Sequence, residues 1–417
     1  MTKSLRDRFG PYQLFLVSMF VFVVFAFIAD APGDVFRGLL RIFTSRSLLV
    51  TDYIAVGGLG ASFLNAAITG CFCVGLMRIS GVKPNGSTIM AIWLTIGFSF
   101  FGKNILNMSP ILFGVFLYSR LQKEPFLNYS LVALLSSTLA PVVSEFAFGG
   151  RFSLLWDAVF GVVTGIVMGV LLPIVSAATN KVHGGYNLYN VGFAGGILMI
   201  FLVALCKSFG ITVEPVRILS EGNNLFLAIF LYLMMGMWCA FALLSSRRDQ
   251  IISRTKRIHG HSGRLVTDYY LMYGRTTYLN MGLLGILGTT ITLALGAELN
   301  GATLAGIFTM MGFGAFGKHL RNCLPVMAGA VLFAFLNNPA HTEPANILAI
   351  LFCTGLAPIA GQYGVLWGVL AGMLHTCIVS HTGLLPAGLN LYNNGFAAGF
   401  VALLLVPIIL AARRAKE

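Results

Sequence analysis

The stretch FFGKNILNMSP, Phe100 to Pro110, returns as AFGKHLRNCLP, Ala315 to Pro325. Both copies sit in the middle of long apolar runs. Each puts a lysine, Lys103 or Lys318, after a Phe-Gly pair, an asparagine four residues on (Asn107, Asn322), and then a proline (Pro110, Pro325). An ammonium group inside an apolar run is costly in a bilayer, so it calls for a partner or a function.

The surrounding sequence makes a bilayer the setting. Of 417 residues, 57% are hydrophobic and 10% charged, and the mean hydropathy is +0.85. Apolar runs recur from end to end, each long enough for a hydrocarbon core of about 30 Å. The 48 glycines suit helices that approach closely in lipid. A net charge of +13 does not point to nucleic acid, because the basic residues gather in short loops and at the ends, as the positive-inside rule expects. The seven cysteines form no C-x-x-C pair and read as small apolar residues. The run Tyr12 to Ile28, behind Lys3, Arg6 and Arg8, resembles a signal peptide. It has a mid-chain counterpart, Leu225 to Leu244, and reads as a retained first helix.

Nearly the whole chain is duplicated. VTDY stands at 50–53 and 266–269; Asn65 and Gly70 match Asn280 and Gly285; Ala140-Pro141 matches Ala357-Pro358. FGVVTGIVMG from Phe160 matches YGVLWGVLAG from Tyr363, and NLYNVGFAGG from Asn187 matches NLYNNGFAAG from Asn390. The copies fall at 1–215 and 216–417. Spans are expected near 11–30, 54–79, 127–147, 155–179 and 186–206, then 225–244, 270–295, 345–360, 364–379 and 389–411. Each copy also holds a broken stretch, about 87–121 and 301–336, and the segment Asp34 to Leu49 is an amphipathic interface helix.

Charge sets the expected topology. Both termini (Lys3, Arg6, Arg8; Arg413, Arg414, Lys416) and the basic loop 245–265, with its run Arg247 to Arg264, read as cytoplasmic. The counterpart of that loop, 31–52, follows one span after the N-terminus and should lie outside. The copies must then point in opposite directions, which requires five crossings each and broken stretches that enter and leave on one side. Arg78, Lys83, Arg120 and Lys123 flank the first on the inside; the second is flanked by Glu298 and Glu343. The expected fold is an all-α polytopic membrane protein, two inverted repeats of five transmembrane helices, each with a re-entrant broken-helix hairpin, ten crossings in total.

The limb from Ser87 to Gly102, about 24 Å as a helix, carries Lys103 deep into the bilayer. Ser109-Pro110 reads as an N-cap and first helical position of the second limb. A half-helix N-terminus beside a lysine favours an anion, and discontinuous helices meeting at the midplane are how inverted-repeat transporters build sites. The expected substrate-binding residues are Lys103, Asn104, Asn107, Ser109, Lys318, His319, Arg321 and Asn322. The opposing reading makes the lysines caps on the carbonyls at the end of their own first half-helix, or partners of a distant carboxylate. Asn187, Asn190, Asn390 and Asn393 either line a polar path or bond backbone at helix starts. Asp52 and Asp268 read as N-caps, Glu145 and Asp157 as interfacial, and His259 and His261 as solvated. His375 and His381, six apart, make a poor metal pair. No metal site, cofactor motif, phosphate loop or catalytic constellation is present in the sequence.

The tandem GK-x-x-x-N stretches (Lys103 and Asn107; Lys318 and Asn322) and the two NLYN-x-GFA stretches resemble the uncharacterised prokaryotic membrane family known as domain of unknown function 1576, in two copies per chain. The resemblance spans nearly the whole sequence and implies no activity. The architecture is also similar to that of urea transporters, which have two inverted halves of five helices with inserted half-helices. Their channel-lining residues have no recognisable match here, and two lysines do not suit a neutral solute.

The expectation is a transporter of a small, anionic metabolite in the cytoplasmic (inner) membrane, working with membrane lipid, a proton or sodium as coupling ion, and compatible with a homo-oligomer. The alternative is a passive channel for a small polar solute. A membrane-embedded enzyme is the remote third reading.

Overall fold

The computed structural model describes residues 10–245, 248–264, 267–336 and 341–415. Lys3, Arg6, Arg8, Arg247, Val266 and Lys416, used above for charge and repeat, lie outside the described residues. The first half runs α1 (Pro11–Ala29), α2 (Pro32–Thr44), α3 (Tyr53–Gly57), α4 (Leu59–Ile79), α5 (Gly86–Phe98), α6 (Ile105–Leu121), α7 (Ser130–Ser136), α8 (Ala140–Ala147), α9 (Leu154–Val182) and α10 (Asn190–Ser208). The second repeats that order as α11 (Asn224–Ser245), α12 (Arg248–Ile258), α13 (Tyr269–Tyr273), α14 (Thr276–Ala294), α15 (Gly301–Phe313), α16 (Leu320–Leu336), α17 (Pro344–Phe352), α18 (Ala357–Tyr363), α19 (Val365–Thr382) and α20 (Asn393–Arg414). A 3-10 turn joins α7 to α8 at Ser137–Leu139, and α17 to α18 at Cys353–Leu356.

Among the described residues ten helices are long and apolar enough to cross a membrane, five in each half: α1, α4, α7 with α8, α9 and α10, and their counterparts. This is a multi-pass helical membrane protein. The half-helices α5, α6, α15 and α16 are apolar but shorter.

Counterpart helices from the two halves meet antiparallel. Along α1 and α11, Phe15 lies 6.1 Å from Trp238, Phe22 5.0 Å from Phe230 and Phe25 5.6 Å from Phe226, by ring centroids. The start of α5 meets the end of α15: a Cβ on Gly86 would lie 2.3 Å from the Ala315 carbonyl oxygen, and one on Gly301 2.2 Å from that of Phe100. Trp93 and Phe308 stack at the crossing, 5.3 Å apart. Two copies joined this way bury an aromatic layer that neither could cover alone.

The aspartates of VTDY fasten the same contact. Asp52 accepts from Ile54 N at 2.8 Å, as an N-cap, and its carboxylate also caps Gly301 at the start of α15. Asp268 accepts from Leu271 N and, at 2.8 Å, from Gly86 N at the start of α5. Each carboxylate thus satisfies orphan N–H groups of a helix in its own half and of one in the other.

Two charged residues sit where the sequence did not put them. Glu145 is fully buried, paired with Arg46 and with Arg151, the latter at 2.5 Å. Asp157 is buried and accepts from Arg151 N and Phe152 N. The interfacial reading failed because it took a helix end to be an exposed end. Here the loops after α2 and α8 fold over both carboxylates.

Candidate functional site

Each broken stretch is built by its cap. In the first, α5 ends at Phe98 and Gly102 takes φ +92°, a left-handed turn that suits glycine. Asn104 then caps α6: its side chain accepts from Leu106 N and Asn107 N, and the Asn107 side chain accepts from Asn104 N at 2.9 Å. Asn107 also donates to Gly102 O and Ser144 Oγ. The second break repeats this with Gly317 at φ +88°. His319 takes the cap position, its Nδ1 accepting from Asn322 N at 3.3 Å while Asn322 accepts from His319 N.

The expected Ser109-Pro110 start is therefore wrong. The half-helix begins five residues earlier, and Pro110 lies inside α6, as Pro325 lies inside α16. The reciprocal Asn104–Asn107 cap wins because it satisfies more orphan N–H groups than a serine could. Ser109 is exposed and bonds Ile105 O one turn back. Arg321 is exposed in the first turn of α16. Neither is among the groups bonded to a lysine.

The lysines are fully buried and cross between halves. Lys103 Nζ donates to Ser137 Oγ at 2.8 Å and to the hydroxyl of Tyr392, in the other half. Lys318 Nζ donates to Thr354 Oγ1 at 2.8 Å and to the hydroxyl of Tyr189, in the first half. Each ammonium also faces two rings: Lys103 is 4.4 Å from the Tyr392 centroid and 5.4 Å from that of Phe98, Lys318 4.5 Å from Tyr189 and 4.7 Å from Phe313. Cation–π attraction and hydroxyl acceptors stand in for water. Among the described residues no carboxylate pairs with either lysine. The two sites touch through Phe352, 5.8 Å from Phe98 and 6.3 Å from Tyr189.

The break carbonyls are held from behind. Asn65 donates to Ser99 O and Lys103 O at 2.7 and 2.8 Å, and Asn280 to Gly314 O and Lys318 O at 2.8 Å each. The lysine side chains are thus not capping those carbonyls.

The NLYN asparagines divide. Asn187 donates to Gly395 O and Asn390 to Gly192 O, stapling each loop to the other half. Between them Gly192 and Gly395 meet so closely that a Cβ on either would lie 3.2 Å from the other's Cα. Asn190 bonds Ser176, Thr179 and His183 and also lines a cavity. Asn393 is buried with its Oδ1 unpartnered.

That cavity, about 260 Å³, lies between the halves. Tyr189 and Tyr392 form part of its wall with Phe98, Phe313, Phe352 and Leu94. Ser87, Ser176 and Asn180 also line it.

Sequence reasoning missed Tyr189, Tyr392, Ser137, Thr354 and the bracing role of Asn65 and Asn280. The signal existed: both tyrosines are inside the repeated NLYN motif, and a hydroxyl residue stands three positions before the repeated Ala-Pro. His259 and His261, expected in solvent, pack on the second break instead. His319 Nε2 lies 2.9 Å from His261 O, and His261 Nε2 2.6 Å from the Tyr273 hydroxyl. The loop docks because its carbonyls pair with side chains at the break.

Fold and site together define a duplicated polytopic membrane protein whose halves exchange buried lysine–tyrosine contacts. The chain matches the family described as "Protein of unknown function (DUF1576)" over residues 31–208 and 247–411, and it belongs to that family. The two matched segments fit two copies of one unit. Comparison with curated proteins finds no match, and comparison with solved structures finds none either.

Proposed function

We propose that the protein transports a small anionic solute across the cytoplasmic membrane, through a site between two re-entrant hairpins carried by inverted repeats. One observation carries the reading: two buried lysine side chains, each at a break, each bound crosswise to a tyrosine of the other half and, among the described residues, to no carboxylate. A bilayer protein that keeps two such charges gives up stability for them. The two breaks sit at opposite ends of the α5–α15 pair, so an anion between the halves would compensate one lysine at a time. Because the contacts cross the interface, binding would also bear on how the halves sit against each other, which is what alternating access requires.

The inverted arrangement is supported by the antiparallel meeting of α1 with α11, two counterpart spans. Re-entrance has its own support. Ser87, at the start of α5, and Asn180 and Asn190, where α9 gives way to α10, line the same cavity, as ends on one side would. Pro110 lies against Gly165 and Gly114 against Gly169, so α6 runs the same way as α9 and heads back to that side. Lys83, Arg120, Lys123 and Lys181 flank these ends, which makes that side cytoplasmic by the positive-inside rule. Arg264 of the basic loop reaches Gly184 O there, at 2.8 Å.

The orientation is checked by single cysteines at the exposed positions Arg37 and Ser253, on a background without the native cysteines. An impermeant thiol reagent added to intact cells should label the first and spare the second. Equal labelling would end the inverted arrangement.

Transport is tested by Lys103→Gln and Lys318→Gln in proteoliposomes loaded with candidate anions. Each variant keeps a hydrogen-bonding side chain, one atom shorter and without charge, and each should lose uptake by a hundredfold or more while inserting normally. Uptake at the parental rate by both would make the lysines structural. Uptake that persists without any ion gradient and never concentrates solute would favour a channel.

A further inference from the structure

We propose that the ligand is an amphipathic organic monoanion: one carboxylate-like group directed at one of the two lysine–tyrosine pairs, and an apolar tail lying in the cavity between the halves. This rests on the anion reading above and narrows it.

The cavity has two kinds of wall. Most of it is hydrocarbon and aromatic ring, including Leu94, Leu131, Leu135, Phe98 and Phe352. That part of the wall offers no donors to a second charge, and burying an unpaired anionic group against it would be costly. A dicarboxylate or a phosphate, which carries charge or acceptors all round, therefore does not suit it. The other wall is formed by the rings of Tyr189 and Tyr392. Behind each ring, outside the cavity lining, lies one lysine, Lys318 Nζ 4.5 Å from the Tyr189 centroid and Lys103 Nζ 4.4 Å from that of Tyr392. A carboxylate at that end could replace a phenol oxygen on an ammonium group, exchanging a neutral acceptor for a charged one.

Size narrows the tail. The cavity is about 260 Å³, against roughly 150 Å³ for a cavity that takes benzene. A phenyl ring or a chain of about six carbons, with its headgroup, fills it. The polar groups Ser87, Asn180 and Asn190 also line the space, where α5 starts and α9 ends.

The copies differ at the cavity wall. The position of Phe352 in the second copy is Leu135 in the first, and the cavity lies against Leu135. The smaller side chain leaves room on that side.

The test uses the full-length protein purified in a neutral detergent, with the unfolding midpoint followed against concentration of acetate, hexanoate, benzoate, phenylacetate, succinate, inorganic phosphate and neutral benzyl alcohol. A ligand of the native state raises the midpoint by mass action. Hexanoate, benzoate and phenylacetate should act at concentrations at least tenfold below acetate, since each added methylene buries further apolar surface. Val132→Phe, which narrows the cavity, should weaken phenylacetate about tenfold and leave acetate unchanged; Leu131→Phe serves if that variant does not fold. Succinate or phosphate acting below hexanoate would overturn the amphipathic class while leaving the anion reading intact. Benzyl alcohol acting as strongly as benzoate would overturn both, because charge would then play no part. Silence from every anion would overturn the proposal as well.

Discussion

The two breaks are built to one plan and furnished differently. Both turn on a glycine, both are capped reciprocally across three residues, and both send a lysine to a hydroxyl and a tyrosine. The segment that packs over each break differs. Over the first lies Ile42 to Ser47, whose Arg46 is locked by buried Glu145; the Ile42 carbonyl accepts from Asn104 at 3.4 Å. Over the second lies Ile258 to Gly263, with His259, His261 and Ser262 against His319 and Asn322. Glu145 has its counterpart in exposed Gln362, and His259 in Phe43. The duplicated core thus carries what both sites need. The divergent covers make one break rigid by ion pairing and leave the other on neutral, titratable contacts.

The largest effect should come from the ion pairs. Glu145→Gln removes the carboxylate that pairs with half-buried Arg151 and with Arg46, which is about a third exposed, so it should cost about 2–3 kcal/mol of stability. Gln362→Ala, at the matching surface position, should stay within about 0.5 kcal/mol. Thermal unfolding of the two variants compares them directly; similar losses would mean that the covers do not differ as described.

A middle-sized effect tests what the breaks share. Asn65→Ala and Asn280→Ala each strip two hydrogen bonds from buried carbonyls, which should cost about 1–3 kcal/mol. The two losses should agree. A large loss for only one of them would show that the common plan is not equally used.

The smallest effect is a pH dependence confined to the second cover. Burial, and then the Arg321 guanidinium, holds His259 below the ordinary histidine range. The facing groups His319, His261 and Arg321 are all basic or neutral. A base whose folded pKa is depressed binds more protons when its segment is released, so its contribution is present above about pH 6.5 and is lost as the pH falls. Amide exchange across 259–264, corrected for its intrinsic pH dependence, should speed up from pH 7.5 to 5.5, while 43–48 stays unchanged. His259→Phe should remove the difference. Equal acceleration of both segments would refute this assignment.

The duplication, the ten apolar spans and the breaks at Gly102 and Gly317 were legible in the sequence, because hydropathy, repeat and backbone preference are local. Lys103 and Lys318 stood out for the same reason: a charge in an apolar run is conspicuous wherever the chain goes. The Ser109-Pro110 reading starts α6 five residues late, since Ser-Pro and the Asn-x-x-Asn cap compete, and only the folded backbone shows which one satisfies more N–H groups. The tertiary structure alone decided that Lys103 meets Tyr392 and Lys318 meets Tyr189, that Glu145 is enclosed, and that the open space lies against Leu135. These facts depend on how two copies of one unit pack against each other. A repeat in sequence fixes the shape of each partner, but the residues brought together across the interface follow from the packing of both surfaces at once.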